Sequence, residues 1–297
     1  MSVLQPPAFW PTLRASLALF GHARPGLRDP AALPLIQREA PGVTLDAAWL
    51  ARYGASVGAA PSAELPPLAL QLAAAPLHLA LLADRRFPFK ALGLVHLSQQ
   101  VTQMRAIAAD ARIDLRASTT EARPEKRGMS FCIRTEARCD GALVWQGDTR
   151  ALAVDPSMAA ERPAPSAGAP VPQDAAPTAP DRVIKLHVPE NTGRLYAAIA
   201  GDLNPIHQRA MLARLFGFRR AIVHGTWTMA RALALAGLPD VPAFSLHATF
   251  RRPVELPSDV QVRCWASTAG GGPHIDVVRA RDSAVCLAIE LSAAAGR

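Results

Sequence analysis

A carboxylate, an amide and an imidazole fall within six positions of this chain: Asp202, Asn204 and His207. An aspartate beside a histidine can pass a proton to or from a reacting group. Their spacing of five puts them about 140° apart on a continuous helix, so they would not share a face. They converge only if the helix is interrupted. Asn204 precedes Pro205, and a residue before proline is driven out of the α region. Asparagine at an N-cap with proline at the first helical position is a start signal. The sequence therefore predicts a turn at Gly201–Asn204 and a helix from Pro205 to about Phe216, stopped by Gly217. Asp202 then lies on the turn and His207 in the first helical turn, facing one space.

A second piece follows at His224-Gly225, where an apolar helix opens and runs to about Gly237-Leu238-Pro239. A helix apolar on nearly all sides is a buried one. Its first N–H groups have no intrahelical partner and carry the positive end of the dipole. Glycine there lets a ligand approach the backbone. A proton-transfer pair beside such donors suits chemistry next to a carbonyl. The donors stabilise negative charge developing on oxygen, each by about 2.7–4 kcal/mol in the transition state.

The string Y-x-x-I-A-G-D-x-N-P-I-H-x5-A from Tyr196, followed by G-F-x-x-x-I-x-H-G ending at Gly225, resembles the hydratase-2 motif of MaoC-like (R)-specific enoyl-CoA hydratases and dehydratases. The resemblance implies an α+β fold of the double hot-dog type, in which antiparallel sheet wraps long central helices. It implies that Asp202 and His207 hold and activate the water that adds to a trans-2-enoyl thioester. Asn204 would help to orient them, and the Gly225 N–H would polarise the thioester carbonyl. Tyr196 and His224 are supporting residues, packing near the turn or fixing the loop that presents Gly225. Two positions depart from the pattern: Ala200 stands where Ser or Thr is common, and Thr226 where Met is common. Neither departure replaces a proton-carrying residue.

The reaction so implied is reversible hydration of an enoyl thioester, or dehydration of the (R)-3-hydroxyacyl thioester. It needs no metal and no redox cofactor; coenzyme A enters as part of the substrate, and an acyl carrier protein is the other possible carrier. Arg219, Arg220, Arg251 and Arg252 are candidates for its phosphates. The rival readings are a hot-dog protein that binds acyl-CoA or acyl carrier protein without turnover, and a hot-dog thioesterase.

Composition bounds the rest. The chain has 297 residues, half of them apolar, enough for one large or two ordinary domains. Its net charge is +8, but the cations are scattered arginines and aromatics are few. A nucleic-acid groove wants clustered cations with stacking rings, so that partner is not expected. Cys132, Cys139, Cys264 and Cys286 show no C-x-x-C spacing, which argues against zinc; reduced buried thiols are expected. Pro11 and Arg14 interrupt the apolar N-terminus and no run is long enough for a bilayer. The expectation is a cytoplasmic chain off the membrane, with homodimer formation left open.

Along the chain, Thr12–Phe20 reads as a short helix and Leu45–Tyr53 as another, stopped by Gly54. Pro66–Arg86 is either a buried helix kinked at Pro76 or a strand followed by a helix. His78 within it reads as a hydrogen-bonded core residue. Strands are expected at Leu92–Val101, Ala111–Ser118, Ser130–Arg138 and Ala142–Ala153, with a hairpin turn at Cys139-Asp140-Gly141. Residues 155–181 are Pro-, Ala- and Ser-rich and read as a linker. Beyond it come strands at Val183–Val188, Phe244–Arg251, Val260–Ser267, His274–Arg281 and Val285–Ala293, with a turn at Gly270–Pro273 before the fourth. Gln103–Leu115 and Arg251–Val262 share a faint pattern. The chain thus divides into a non-catalytic hot-dog half with an N-terminal extension (1–154), a linker (155–181) and a catalytic hot-dog half (182–297). Leu68–Leu82 is expected to line an acyl tunnel or simply to be core.

Overall fold

A computed structural model of the chain describes residues 3–4, 24–91, 93–155, 179–214, 216–237, 242–266 and 272–293. The helix expected at Thr12–Phe20 lies outside these residues, as do 156–178 of the linker, Ser267 at the end of an expected strand, and 270–271 of the last turn.

Strand-forming alternation is visible in the burial of each strand. In β4 (Ile113–Glu125) buried and exposed positions alternate through its first half, as they do in β8 (Phe244–Phe250). The period of two puts one face on the core. The other strands are β1 (Val3–Leu4), β2 (Gln37–Leu45), β3 (Val95–Gln103), β5 (Gly128–Cys139), β6 (Ala142–Val154), β7 (Arg182–Val188), β9 (Ser258–Trp265), β10 (His274–Arg279) and β11 (Val285–Ala293). Asp140 and Gly141 both have positive φ, which makes the β5–β6 turn the primed type that matches strand twist.

The strands form one sheet in the order β1-β2-β4-β5-β6-β3-β8-β11-β10-β9-β7. From β2 to β3 and from β7 to β8 the two series mirror each other strand for strand. Each half begins with a strand, passes through helices, and returns as four antiparallel strands. The halves join where β3 pairs antiparallel with β8, from Ser98 opposite Thr249 to Gln103 opposite Phe244. The two segments with a faint sequence likeness are the β3–β4 and β8–β9 connections, the same place in each half. The architecture is the α+β double hot dog.

The helices pack against the sheet. α1 (Ala47–Val57) starts at Asp46, whose side chain accepts the Trp49 N–H at 2.7 Å. It ends at Gly58 with φ 67, one turn beyond the stop expected at Gly54; Gly54 is buried inside the helix. α2 (Ala69–Ala73) and α3 (Ala75–Leu82) are the expected apolar helix, broken just before Pro76, where proline cannot donate to the preceding turn. α4 (Thr192–Ala200) and α6 (Gly225–Ala236) belong to the second half, with the one-turn α5 (Ala210–Arg214) between them. α6 buries Trp227, Met229, Ala230, Ala232 and Leu233; a fully buried side chain of the Met or Leu kind contributes about 1.5–3 kcal/mol. No helix among the described residues is long and apolar enough to cross a membrane. Cys132, Cys139, Cys264 and Cys286 are unpaired thiols, and all but Cys264 are buried.

One apolar core runs through both halves, with Trp49 and Tyr53 of α1 alongside Tyr196 and Trp227. Three hydrogen bonds cross it. The Trp49 indole donates to Ile199 O at 3.0 Å, the Trp227 indole to Ser56 O at 2.9 Å, and Arg231 to Val57 O at 3.1 Å. The first of these holds the end of α4, immediately before the motif turn. Trp49→Phe is expected to lower stability by about 1 kcal/mol, the loss of a partly buried hydrogen bond. Urea midpoints measure this, and a midpoint equal to wild type would show that the bond contributes nothing.

Candidate active site

α4 ends at Gly201, whose φ of 71 turns the chain out of the helix. The next residues bond to themselves. The Asp202 carboxylate accepts the Asn204 N–H at 3.1 Å, and the Asn204 side chain accepts the Ile206 N–H at 3.3 Å. Asn204 is thus the N-cap of a 3-10 turn over Pro205–His207, with proline at its start. The expected helix to Phe216 is absent: one 3-10 turn is followed by a break and then by α5. The break follows from tertiary bonds, since Ile206 O is taken by the Ile222 N–H at 3.1 Å. Gly217 does carry a positive φ of 84.

The segment before α6 closes on this turn. His207 Nδ1 donates to Ile222 O at 2.8 Å, which fixes the tautomer and leaves the Nε2 lone pair free. That Nε2 lies 3.8 Å from Asp202 Oδ2. The gap is too long for a direct hydrogen bond and suits a water held by both acceptors. His224 Nε2 donates to Asp202 O at 3.2 Å and lies 3.7 Å from Asp202 Oδ2. Its ring stacks on His207, with centroids 3.7 Å apart, and the buried Tyr196 ring meets it edge-on at 5.2 Å. Thr226 is the polar side chain beside the Tyr196 hydroxyl, and burial pushes that phenol well above its usual range.

Charge follows from these surroundings. Burial and the neighbouring His207 push His224 down to about 3, so it is neutral at physiological pH. Burial pushes the Asp202 carboxyl up, but the two imidazoles and the Asn204 N–H outweigh it, and the group lies below its ordinary value. Half of the Asp202 side-chain surface remains exposed in the cleft.

Donor atoms of Asp202, His207 and His224 lie within 4.8 Å of one another, close enough to consider a metal ion. His224 fits that role poorly. Its Nε2 already serves Asp202 O, and its Nδ1 has no partner. Ligation through Nε2 would move the proton to Nδ1 and bury an unsatisfied N–H.

Gly225 opens α6 with no side-chain cap, and its N–H has no acceptor among the described residues. A Cβ at this position would come within 2.8 Å of the Phe250 ring. Gly193 in α4 is equally constrained, since a Cβ there would lie 2.3 Å from His207 O. Close approach to backbone leaves that position nowhere to yield.

Two cavities meet here. One, of about 300 Å³, is lined by Asp202, His207, Gly225, Phe250, Arg251 and Arg252 among others. The second, of about 320 Å³, reaches into the first half between Ala75, Leu79, Leu82, Phe131 and Ile133. Leu94, His96, Asp202 and Asn204 border both. The structure therefore brings together Asp202, Asn204, His207, His224 and Gly225, with Tyr196 behind them and Arg251 and Arg252 at the side. Arg219 and Arg220 are exposed and border neither cavity. Of Leu68–Leu82, the first part is core, and Ala75, His78, Leu79 and Leu82 line the second cavity. His96, Phe250, Gly193 and Ile222 were not singled out in the sequence. The His96 and Phe250 rings meet at a tilt, centroids 4.3 Å apart, only because β3 pairs with β8, which no local pattern announces.

His78, His96 and His224 titrate at about 4, 4 and 3 when folded, against 6.5 for a free imidazole. Between pH 6.5 and 5 the unfolded chain binds protons that the folded one refuses. Their contribution to stability is complete above pH 6.5 and lost as pH falls, by up to about 1.4 kcal/mol per pH unit for each. Urea midpoints at pH 7, 6 and 5 should fall in that order, with a shallower slope in His96→Gln. A flat profile would contradict the burial of these rings.

The chain matches the MaoC like domain family over residues 172–285. It is 31% identical over 219 residues to 3-hydroxyacyl-thioester dehydratase X of Mycobacterium tuberculosis, covering 72% of this chain and 74% of that protein. The crystal structure of the Mycobacterium tuberculosis protein HtdX superposes with a TM-score of 0.73 at 25% identity, over 87% of this chain and all of that one. A MaoC-like dehydratase from Phytophthora capsici gives 0.66 at 16% identity, over 90% and 98% of the two chains.

Proposed function

Since the chain belongs to the MaoC-like dehydratases, we propose that it catalyses the reversible addition of water to a trans-2-enoyl thioester, giving the (R)-3-hydroxyacyl thioester. The carrying observation is the 3.8 Å gap between Asp202 Oδ2 and His207 Nε2, open to a cavity that also holds the free Gly225 N–H.

Both groups are acceptors: a carboxylate held ionised, and an imidazole nitrogen whose partner carries the proton. A water between them donates one hydrogen to each and turns its lone pairs outward. One of the pair takes a proton as the water oxygen attacks C3. The C2=C3 electrons move toward C1, and negative charge develops on the thioester oxygen. The Gly225 N–H, at the positive end of α6, stabilises that charge. The proton then passes to C2, so that water is consumed without a redox step. In dehydration the same groups work in reverse.

Asn204 acts through its backbone N–H on the Asp202 carboxylate and through its side chain on the 3-10 turn. His224 fixes the Asp202 carbonyl while staying neutral. Arg251 and Arg252, without side-chain partners among the described residues, are the cations for the phosphates of coenzyme A or of a carrier-protein arm; Arg219 and Arg220 lie further out. Catalysis belongs to residues 182–297, and residues 1–154 supply sheet pairing and the acyl cavity. Action in the cytoplasm without an added metal or redox cofactor completes the reading, which leaves a homodimer open.

Asp202→Asn and His207→Ala are each expected to lower kcat on crotonyl-CoA about 10²–10⁴-fold with an unchanged circular dichroism spectrum. Retained turnover in either variant would end the proposal, and release of free thiol in place of hydration would make the protein a thioesterase. Gly225→Ala should lose about 10²-fold in kcat, because its methyl displaces either the helix start or the Phe250 ring. Adding Phe250→Leu should restore part of that loss. A double variant no better than the single one would show that the ring is not what the methyl meets.

A further inference from the structure

The cavity in the first half is not uniformly apolar. Leu79, Leu82, Phe131 and Ile133 give it a greasy surface, but His78 and His96 also line it. They are close enough for His96 to bear on the charge of His78. The other polar group in that half of the lining, the Thr149 hydroxyl, is fully engaged. It donates to Gln99 Oε1 at 2.8 Å and accepts from Gln71 Nε2 at 3.0 Å.

His78 differs. Its Nε2 bonds the Thr135 hydroxyl at 2.7 Å, which accounts for one ring nitrogen. Nδ1 has no protein partner among the described residues, and His78 lines the cavity. His96 Nε2 donates to Ser98 O at 3.1 Å. Both rings are neutral, pushed down to about 4 chiefly by burial. A neutral imidazole presents one donor and one acceptor, so His78 Nδ1 can serve either kind of partner through the Thr135 hydroxyl.

A saturated alkyl chain filling this space would dehydrate that nitrogen and give nothing back. Such a loss disfavours the plain chain, and a site built to hydrogen-bond its substrate discriminates strongly against the analogue lacking the group. We propose that the cavity takes an acyl group carrying a hydroxyl or keto oxygen beyond the reacting carbons, and that His78 reads that oxygen. The proposal rests on the thioester hydratase reading and narrows its substrate class.

The test uses trans-2-enoyl-CoA thioesters of matched length, plain or bearing a distal hydroxyl or keto group at successive positions. kcat/KM is measured for the full-length wild type, His78→Leu and His78→Gln. Wild type should favour at least one substituted thioester tenfold or more over its plain counterpart. His78→Leu should lower that ratio tenfold or more, and His78→Gln, which keeps a polar tip, should hold it within a few-fold. Equal kcat/KM for plain and substituted chains at every position would overturn the inference, as would an undiminished ratio in His78→Leu. The wild-type comparison decides alone if His78→Leu does not fold. Should no enoyl thioester be hydrated, the hydratase reading fails. Calorimetric binding of the matched saturated thioesters then still reports whether the substituent is preferred.

Discussion

Everything at the site depends on one short seam between two loops. The 3-10 turn after Asn204 and the segment before α6 share three hydrogen bonds: Ile222 N–H to Ile206 O, His207 Nδ1 to Ile222 O, and His224 Nε2 to Asp202 O. Two of them come from imidazoles. A buried loop needs partners for its backbone groups, and here those partners also set which nitrogen of each ring carries the proton. The seam makes His207 an acceptor toward the cleft and keeps His224 a donor away from it. Structural satisfaction and chemical assignment are the same bonds.

The surroundings are arranged to keep that seam still. α1 from the other half clamps the end of α4 through Trp49 and reaches α6 through the carbonyls of Ser56 and Val57. Gly193 lets α4 lie directly against the His207 carbonyl. The sheet joint at β3–β8 sets His96 on Phe250, and Phe250 closes over Gly225. Thus residues far apart in sequence, from both halves, determine where one backbone amide faces.

Much of this was legible from letters because it is local. Pro205 after Asn204 forces the break that lets residues five apart converge, and the alternation of Val285–Ala293 marks that strand to the residue. The last four strands of the first half, the strands of the second, the hairpin at Asp140-Gly141 and the break before Pro76 follow from the same short-range rules, whereas β2, interrupted by Pro41 and Gly42, carries no strand pattern. The helix expected through Phe216 did not survive because Ile206 O finds its partner in Ile222, a tertiary choice that overrides propensity. Gly54 is an ordinary helix residue because Gly58 meets both the left-handed turn and the close passage of Arg231. His96 and Phe250 carried no signal at all. Their meeting depends on the pairing of two strands separated by most of the chain.

Fusing two similar halves into a single sheet has a consequence for how such a protein can change. In a pair of identical subunits, every substitution appears twice, once where it helps and once where it harms. Here the first half can interrupt its helix at Pro76 and hollow out a pocket while the second half keeps an unbroken α6. Each side is released from its twin, and substrate choice can drift without touching the proton-handling residues.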